Sequence, residues 1–385
     1  MPLTAILALG AGPLEVGVLG AAQLVPIVIV GLPAGAWVDR LRSRRRVMVG
    51  ADLCRGLLLA SVPLAWIAGA LTFGQLIVVV LATSALGTLF DVAIASYVPL
   101  VVGRDGLIRA NSRLELSRAT AAVIGPGAAA VVLRFLAAPI ALGLDAMSFI
   151  ASAVLVGTSP GDEPTFERPL RAGGSREVRQ ELLAGVRLAL HEPHLRAIVT
   201  TAMTNNLSRA IGTVVIVLFL IRDAGASPDT IGLAFALGNT GFVVGALAAS
   251  RVSAGIGIGR AMRLGVSLFW PGMLALGLTP ANLALPVFTV MLFMNGLGIA
   301  LHNVNQVSVR QAVTPDHLRA RVAAATRLLI LGAIPAGTLI GGLLGSSIGL
   351  QNTIVVAAFG LFLGSLPYPL SRVGSLKALP AETAG

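Results

Sequence analysis

The chain has 385 residues, 56% of them hydrophobic and only 12% charged, about half the charged share of a soluble domain, which excludes an ordinary water-soluble globule. The net charge of +11 comes almost wholly from arginine, because Lys377 is the sole lysine; aromatics are scarce and the arginines stand between apolar runs, which excludes a basic nucleic-acid groove. A single cysteine, Cys54, excludes a disulfide framework.

The opening residues 2–10 are apolar but too short to cross a bilayer core, which needs about 20 apolar residues. They also lack the positive leader of a secretory signal. Spans of sufficient length are then predicted near 15–38, 47–69, 74–101, 114–134, 138–158, 197–221, 229–250, 262–279, 283–309, 322–345 and 350–370. Between the fifth and sixth spans lies a segment rich in Pro, Gly and Arg, about 159–195. Its stretch "REVRQELLAGVRLALHE" spaces Val178, Leu182, Leu183, Val186 and Leu190 as one helical face, predicting an amphipathic helix at the cytoplasmic surface.

Arginine placement sets the expected orientation. Alternate connections carry Arg40, Arg42, Arg44, Arg45 and Arg46, then Arg104, Arg109 and Arg113, the loop arginines from Arg168 to Arg196, and Arg251, Arg260, Arg263, Arg310, Arg319 and Arg321. The opposite connections carry little beyond Arg134 and Arg222. The first set, the long loop and the tail are therefore expected in the cytoplasm. The expected localisation is a multi-pass protein of the inner, or cytoplasmic, membrane.

The chain repeats itself. "AGPLEVGVL" from Ala11 returns as "AGASPDTIGL" from Ala224, Gly31 and Gly35 return as Gly241 and Gly245, and Asp105-x-Leu107 returns as Asp316-x-Leu318. All three matches share an offset of about 210 residues, the mark of two related halves. The expected organisation is a bundle over 1–158, a loop with its amphipathic helix over 159–195, a second bundle over 196–370 and a tail over 371–385. A full span precedes the second "AGA" loop but only ten residues precede the first. The repeat thus predicts about 20 to 30 residues ahead of Met1, with a start codon assigned too late as the expected cause.

Two six-helix halves with a basic connection resemble the major facilitator superfamily of secondary transporters, whose motif there is roughly G-x-x-x-D-R-x-G-R-R-x. Gly35, Asp39, Arg40, Arg44, Arg45 and Arg46 fit it, while Arg42 and Ser43 replace the usual glycine and add a residue. "LPAGAWVDRLRSRRRVMVGADLCR", "FDVAIASYVPLVV", "RANSRLELSRATAAVIGPG" and "LDAMSFIASA" resemble the enterobactin-exporter and macrolide-efflux branch. The resemblance implies an all-α fold of two six-helix bundles with the first helix truncated, about 11–12 transmembrane helices. It also implies a central cavity and alternating access powered by an ion gradient. By the superfamily's pattern Asp39 is expected against His317 to Arg321, a latch at a positive helix start. The Gly125-Pro126-Gly127 core matches a motif of the family's exporters, where proline frees a backbone acceptor and glycine permits close approach.

Ionisable and polar groups inside spans are candidates because lipid makes them costly. Asp52 and Arg55, three apart, are expected to pair on one helix face; Glu115 and Arg118 repeat that spacing as a gate or a packing pair. Asp91 and Asp145 have no basic neighbour in sequence, and a carboxyl desolvated there would load and release a proton near neutral pH. Asn205, Asn206 and Arg209, and His302, Asn303 and Gln306, are candidate cavity residues. Gly31 and Gly35 form a GxxxG suited to close helix packing. No P-loop, metal-spaced Cys/His cluster or nucleophile–base arrangement is found. The expected protein is therefore no enzyme and needs no cofactor or metal. It is expected to be a proton-coupled antiporter that exports drugs or siderophore-like small molecules by alternating access, monomeric, in contact with membrane lipids and not with nucleic acid. The alternatives are an importer of a small metabolite, or a non-transporting membrane sensor or scaffold.

Overall fold

The computed structural model describes residues 1–38, 43–159, 175–315 and 318–377, with further side chains left undescribed inside some helices. The described chain is helical, and it divides into two compact units, Met1–Ala172 and Gly173–Gly385. Among the described residues eight helical stretches are long and apolar enough to cross a membrane. Three shorter apolar stretches, Pro13–Ile27, Ile124–Phe135 and Leu350–Ser365, fill the remaining expected places.

In the first unit, α1 (Pro2–Leu9) ends at Gly10, whose φ of 66° closes the helix in the left-handed conformation that glycine adopts without strain. Next come α2 (Pro13–Val38) and α3 (Arg44–Ile67). Ser43 caps α3, its hydroxyl accepting from the Arg46 N–H at 3.2 Å. Helix α4 runs from Phe73 to Phe135, and α5 from Ala138 to Thr158. Thr72 caps α4 by accepting from the Gln75 N–H, while the Gln75 amide donates to Ser61 and so ties α4 to α3. Helix α3 packs on α5 and α4, α2 packs on α4, and α1 rests on α5 and α2.

The connection expected between 74–101 and 114–134 is a correction. It is helical throughout, so both spans belong to α4. The residues from Val102 to Arg113 include no proline, and a helix satisfies every backbone group locally at little cost even through Gly103 and Gly106.

The second unit begins with the amphipathic helix α6 (Ser175–His191), which packs on α12. A methyl at Gly185 would overlap the Arg321 carbonyl, so α6 is pressed onto that backbone. Then follow α7 (Pro193–Arg222), α8 (Pro228–Ile256), α9 (Ile258–Ser267), α10 (Phe269–Leu278), α11 (Ala284–Val313), α12 (Arg319–Ser347) and α13 (Leu350–Ser365). The span expected at 262–279 is divided at Leu268 into α9 and α10. Pro271, three residues on, lacks the N–H that a continuous helix would require there.

Helix α7 forms the centre of this unit, packed on α12 and α13, with Leu218 and Leu220 fully buried. Helix α8 lies against α11. Gly241 and Gly245 make that approach possible, because a methyl at either would strike the Phe293 or Leu297 carbonyl. Outward positions such as Leu57, Ile67, Phe135, Leu155, Leu247 and Phe359 are exposed and apolar, as lipid contact requires.

Candidate functional site

In the first unit Arg55 of α3 is paired with Asp52 and packed against α4 and α5. Asp52 is 2% exposed, and its Oδ1 accepts from Nη1 of Arg55 at 3.2 Å. Its Oδ2 accepts from the Ser152 hydroxyl of α5 at 2.6 Å. The guanidinium carbon of Arg55 sits 3.9 Å from the ring centre of Phe149, also on α5. It lies 3.6 Å from where a Cβ would stand on Gly87 of α4. The pair read from its i, i+3 spacing is thus formed, and two neighbouring helices complete its shell.

Asp91 and Asp145 are both exposed from this unit. Asp91 follows Gly87 by four residues on α4, and Asp145 precedes Phe149 by four on α5. Residues four apart share a helix face, so each carboxylate stands one turn from a residue that touches Arg55.

Of the arginine-rich edge, Arg44 is buried at the start of α3. Arg45 Nε donates to the Val156 carbonyl at 2.8 Å, and its Nη2 donates to Gly157, so it clamps α3 to the end of α5. Arg46 is exposed. Asp39 and Arg40 lie outside the described residues, as does His317. The side chains of Glu115 and Arg118 are likewise undescribed, and for Gly31 and Gly35 only their place in α2 is described. Gly125, Pro126 and Gly127 lie within α4, which continues past the proline to Phe135. A Cβ on Gly125 would meet nothing within 4 Å, so no described neighbour packs closely against it.

In the second unit the candidate polar residues other than Arg209 are neutral, and several have partners on a neighbouring element. His302 is buried on α11, with the Tyr368 hydroxyl 3.4 Å from its Nδ1. Asn305 donates to the Leu301 carbonyl and accepts from the Ser253 hydroxyl of α8 at 2.9 Å. Gln306 is buried and Asn303 exposed. On α7, Asn206 donates to the Ile330 carbonyl of α12 at 3.2 Å. Asn205 is buried against Gly364 of α13, and Arg209 is exposed.

Sequence reasoning missed Ser152, Phe149 and Tyr368. Tyr368 carried a signal, since it is one of two tyrosines and stands between Pro367 and Pro369. Ser152 and Phe149 carried none, because their relevance comes from a different helix. Among the described residues no three His, Cys, Asp or Glu side chains gather as a metal ion would require.

The profile of the Major Facilitator Superfamily matches residues 1–330. The multidrug efflux pump Tap of Mycolicibacterium fortuitum is 27% identical over 380 residues, covering 94% of this chain and 88% of that protein. Tap of Mycobacterium tuberculosis is 27% identical over 367 residues, covering 89% and 82%. Among solved structures, the nucleoside transporter NupG superposes with a TM-score of 0.73 at 13% identity, covering 96% of this chain and 92% of that one. A bacterial homolog of the human lysosomal transporter Spinster, inward-facing and unoccupied, gives 0.73 at 14% identity, covering 99% and 95%. At such identities the structures establish a shared fold.

Proposed function

Because the chain belongs to the Major Facilitator Superfamily, a family of multi-pass membrane transporters of small molecules, we propose that it exports drug-like compounds from the cytoplasm across the cell membrane in exchange for protons. The observation that carries export is the extent of the likeness to Tap, a multidrug efflux pump, which runs through 94% of the chain. Support for protons as the driving ion comes from Asp91 and Asp145, carboxylates placed inside spans where charge is costly. The Gly125-Pro126-Gly127 core agrees with an exporting role.

The domain reading proposed with it keeps bundles over 1–158 and 196–370, a cytoplasmic segment over 159–195 and a cytoplasmic tail over 371–385. Asp39 is proposed as the conformational latch, and the polar groups Asn205, Asn206, Arg209, His302, Asn303 and Gln306 as substrate contacts. The working form is a monomer.

The test is transport by the full chain in proteoliposomes, with the cationic dye ethidium as probe. A pH gradient, imposed with the acid on the side toward which the dye moves, should drive ethidium flux several-fold above empty liposomes. Collapsing the gradient should abolish it. Flux indifferent to the gradient would remove proton coupling, and flux in the direction of the proton gradient would make the protein an importer.

A further inference from the structure

Among the described residues Arg55 is the arginine in the middle of a span of the first unit, and it uses few of its donors. A guanidinium has five N–H groups. Asp52 takes one of them, while the Nε of Arg55 is buried without a hydrogen-bond partner among the described residues. Its carbon rests against Gly87 because glycine has no side chain to hold it off. One turn further along the same face of α4 stands Asp91, and Cβ atoms four residues apart on a helix are separated by about 5–6 Å. A change of rotamer at Arg55 spans that distance.

The register places the two carboxylates at one level. Helix α4 runs antiparallel to α3, with Met48 beside Ala93 in a shared apolar cluster and Arg55 beside Gly87. Asp52 and Asp91 therefore flank Arg55 on the same side, one on each helix. Among the described residues, the other charged or titratable groups near Asp91's end of α4 and on the helices packed against it are displaced from it. Arg44, Arg45 and Arg46 stand at the start of α3, with Arg45 held by α5 carbonyls. Cys54 is exposed on another face of α3. Tyr97 lies further along α4, and Glu15 at the far end of α2. On α5, Asp145 lies beyond Phe149 and faces the Met1 amino group of α1.

We propose that Arg55 is a positioning residue for the proton-carrying step, the shared counter-ion of Asp52 and Asp91 that moves from one to the other. The proposal rests on the proton-coupled reading above and gives it a device. When Asp91 holds a proton it is neutral, and the guanidinium stays with Asp52, as in this structure. When Asp91 releases the proton, its new negative charge draws the guanidinium across Gly87. Asp52 is then left with the Ser152 hydroxyl. The charge of the three groups changes by that of the single proton, and no other reactant enters. Gly87 serves as the open track between the two positions, and Phe149 supplies an aromatic face that supports the guanidinium in passage.

The test reads the carboxyls directly. Infrared pH titration of the full chain in liposomes follows the protonated-carboxyl band, and D91N identifies the part belonging to Asp91 by its loss. D52N, nearly isosteric and still able to bond Ser152, should lower the pH at which that part appears by about one unit or more, because Arg55 is left to Asp91 alone. R55Q should raise it by a similar amount, and R55K should restore the original position. If D52N leaves the Asp91 band unmoved, or D91N removes no band, Arg55 is not shared and the proposal falls. Should R55Q fail to fold, the D52N comparison decides by itself. Ethidium flux in the same liposomes separates the two readings. A shifted band with flux blind to the pH gradient would overturn proton coupling and leave the sharing of Arg55 standing. Gradient-driven flux with an unmoved band would do the reverse.

Discussion

In the first unit the face of α4 bearing Gly87 and Asp91 meets the guanidinium of Arg55 on α3. At the repeat offset of about 210 residues, the matching face of α11 bears Gly298 and His302. There it meets Gly265 of α9 and Phe269 of α10, so closely that a methyl on Gly298 would overlap the Gly265 carbonyl. The same glycine position thus does two different things. In the first unit it leaves room for a long cationic side chain, and in the second it lets two backbones touch. The group one turn on differs too, the exposed carboxylate of Asp91 in one and a buried imidazole beside Tyr368 in the other. The two faces share a glycine in close contact, with an ion pair beside it in the first unit and a hydrogen-bonded imidazole beside it in the second.

That contrast can be broken most forcefully at Arg55. Arg55→Leu leaves the buried Asp52 carboxylate without its cation, and removing one member of a buried pair costs about 3–5 kcal/mol. The thermal unfolding midpoint of the detergent-purified protein should fall steeply, and Asp52→Leu in the same chain should recover much of the loss. A midpoint equal to the parent's would mean that the pair is solvated after all.

Glycine contacts sharpen the comparison next. Gly241→Val drives a side chain into the Phe293 carbonyl and should cost about 1–3 kcal/mol through the shift between α8 and α11. In the second unit the neutral pair should be cheaper still. Tyr368→Phe removes one hydroxyl contact to His302 and should cost about 1 kcal/mol. Smallest of all is Gly125→Ala in α4, where open space surrounds the added methyl. Its effect should stay within about 1 kcal/mol, on the stabilising side, because alanine favours a helix. A large loss at Gly125 would show that this glycine meets a close neighbour in the working protein. All three are read by the same unfolding midpoint.

Much of the site was legible only in fragments. The Asp52–Arg55 spacing of three residues predicted the ion pair, since helical geometry alone brings such residues together. Asp91 and Asp145 looked solitary because Gly87 and Phe149, the residues one turn away from them, meet Arg55 of another helix. Tyr368 and Ser253 were missed for the same reason, each acquiring a role only through a partner on α11.

The sequence by itself determined the class of protein, the apolar spans, the internal repeat and the amphipathic helix ahead of α7. These are local properties: in lipid a helix must satisfy its own backbone and match its own surface to the bilayer, so each span is written in consecutive residues. Tertiary structure alone decided that α4 and α5 deliver Gly87, Phe149 and Ser152 to Arg55. That outcome depends on where helices cross. Crossing is set by packing between residues distant in sequence, so no stretch of the chain read by itself contains it.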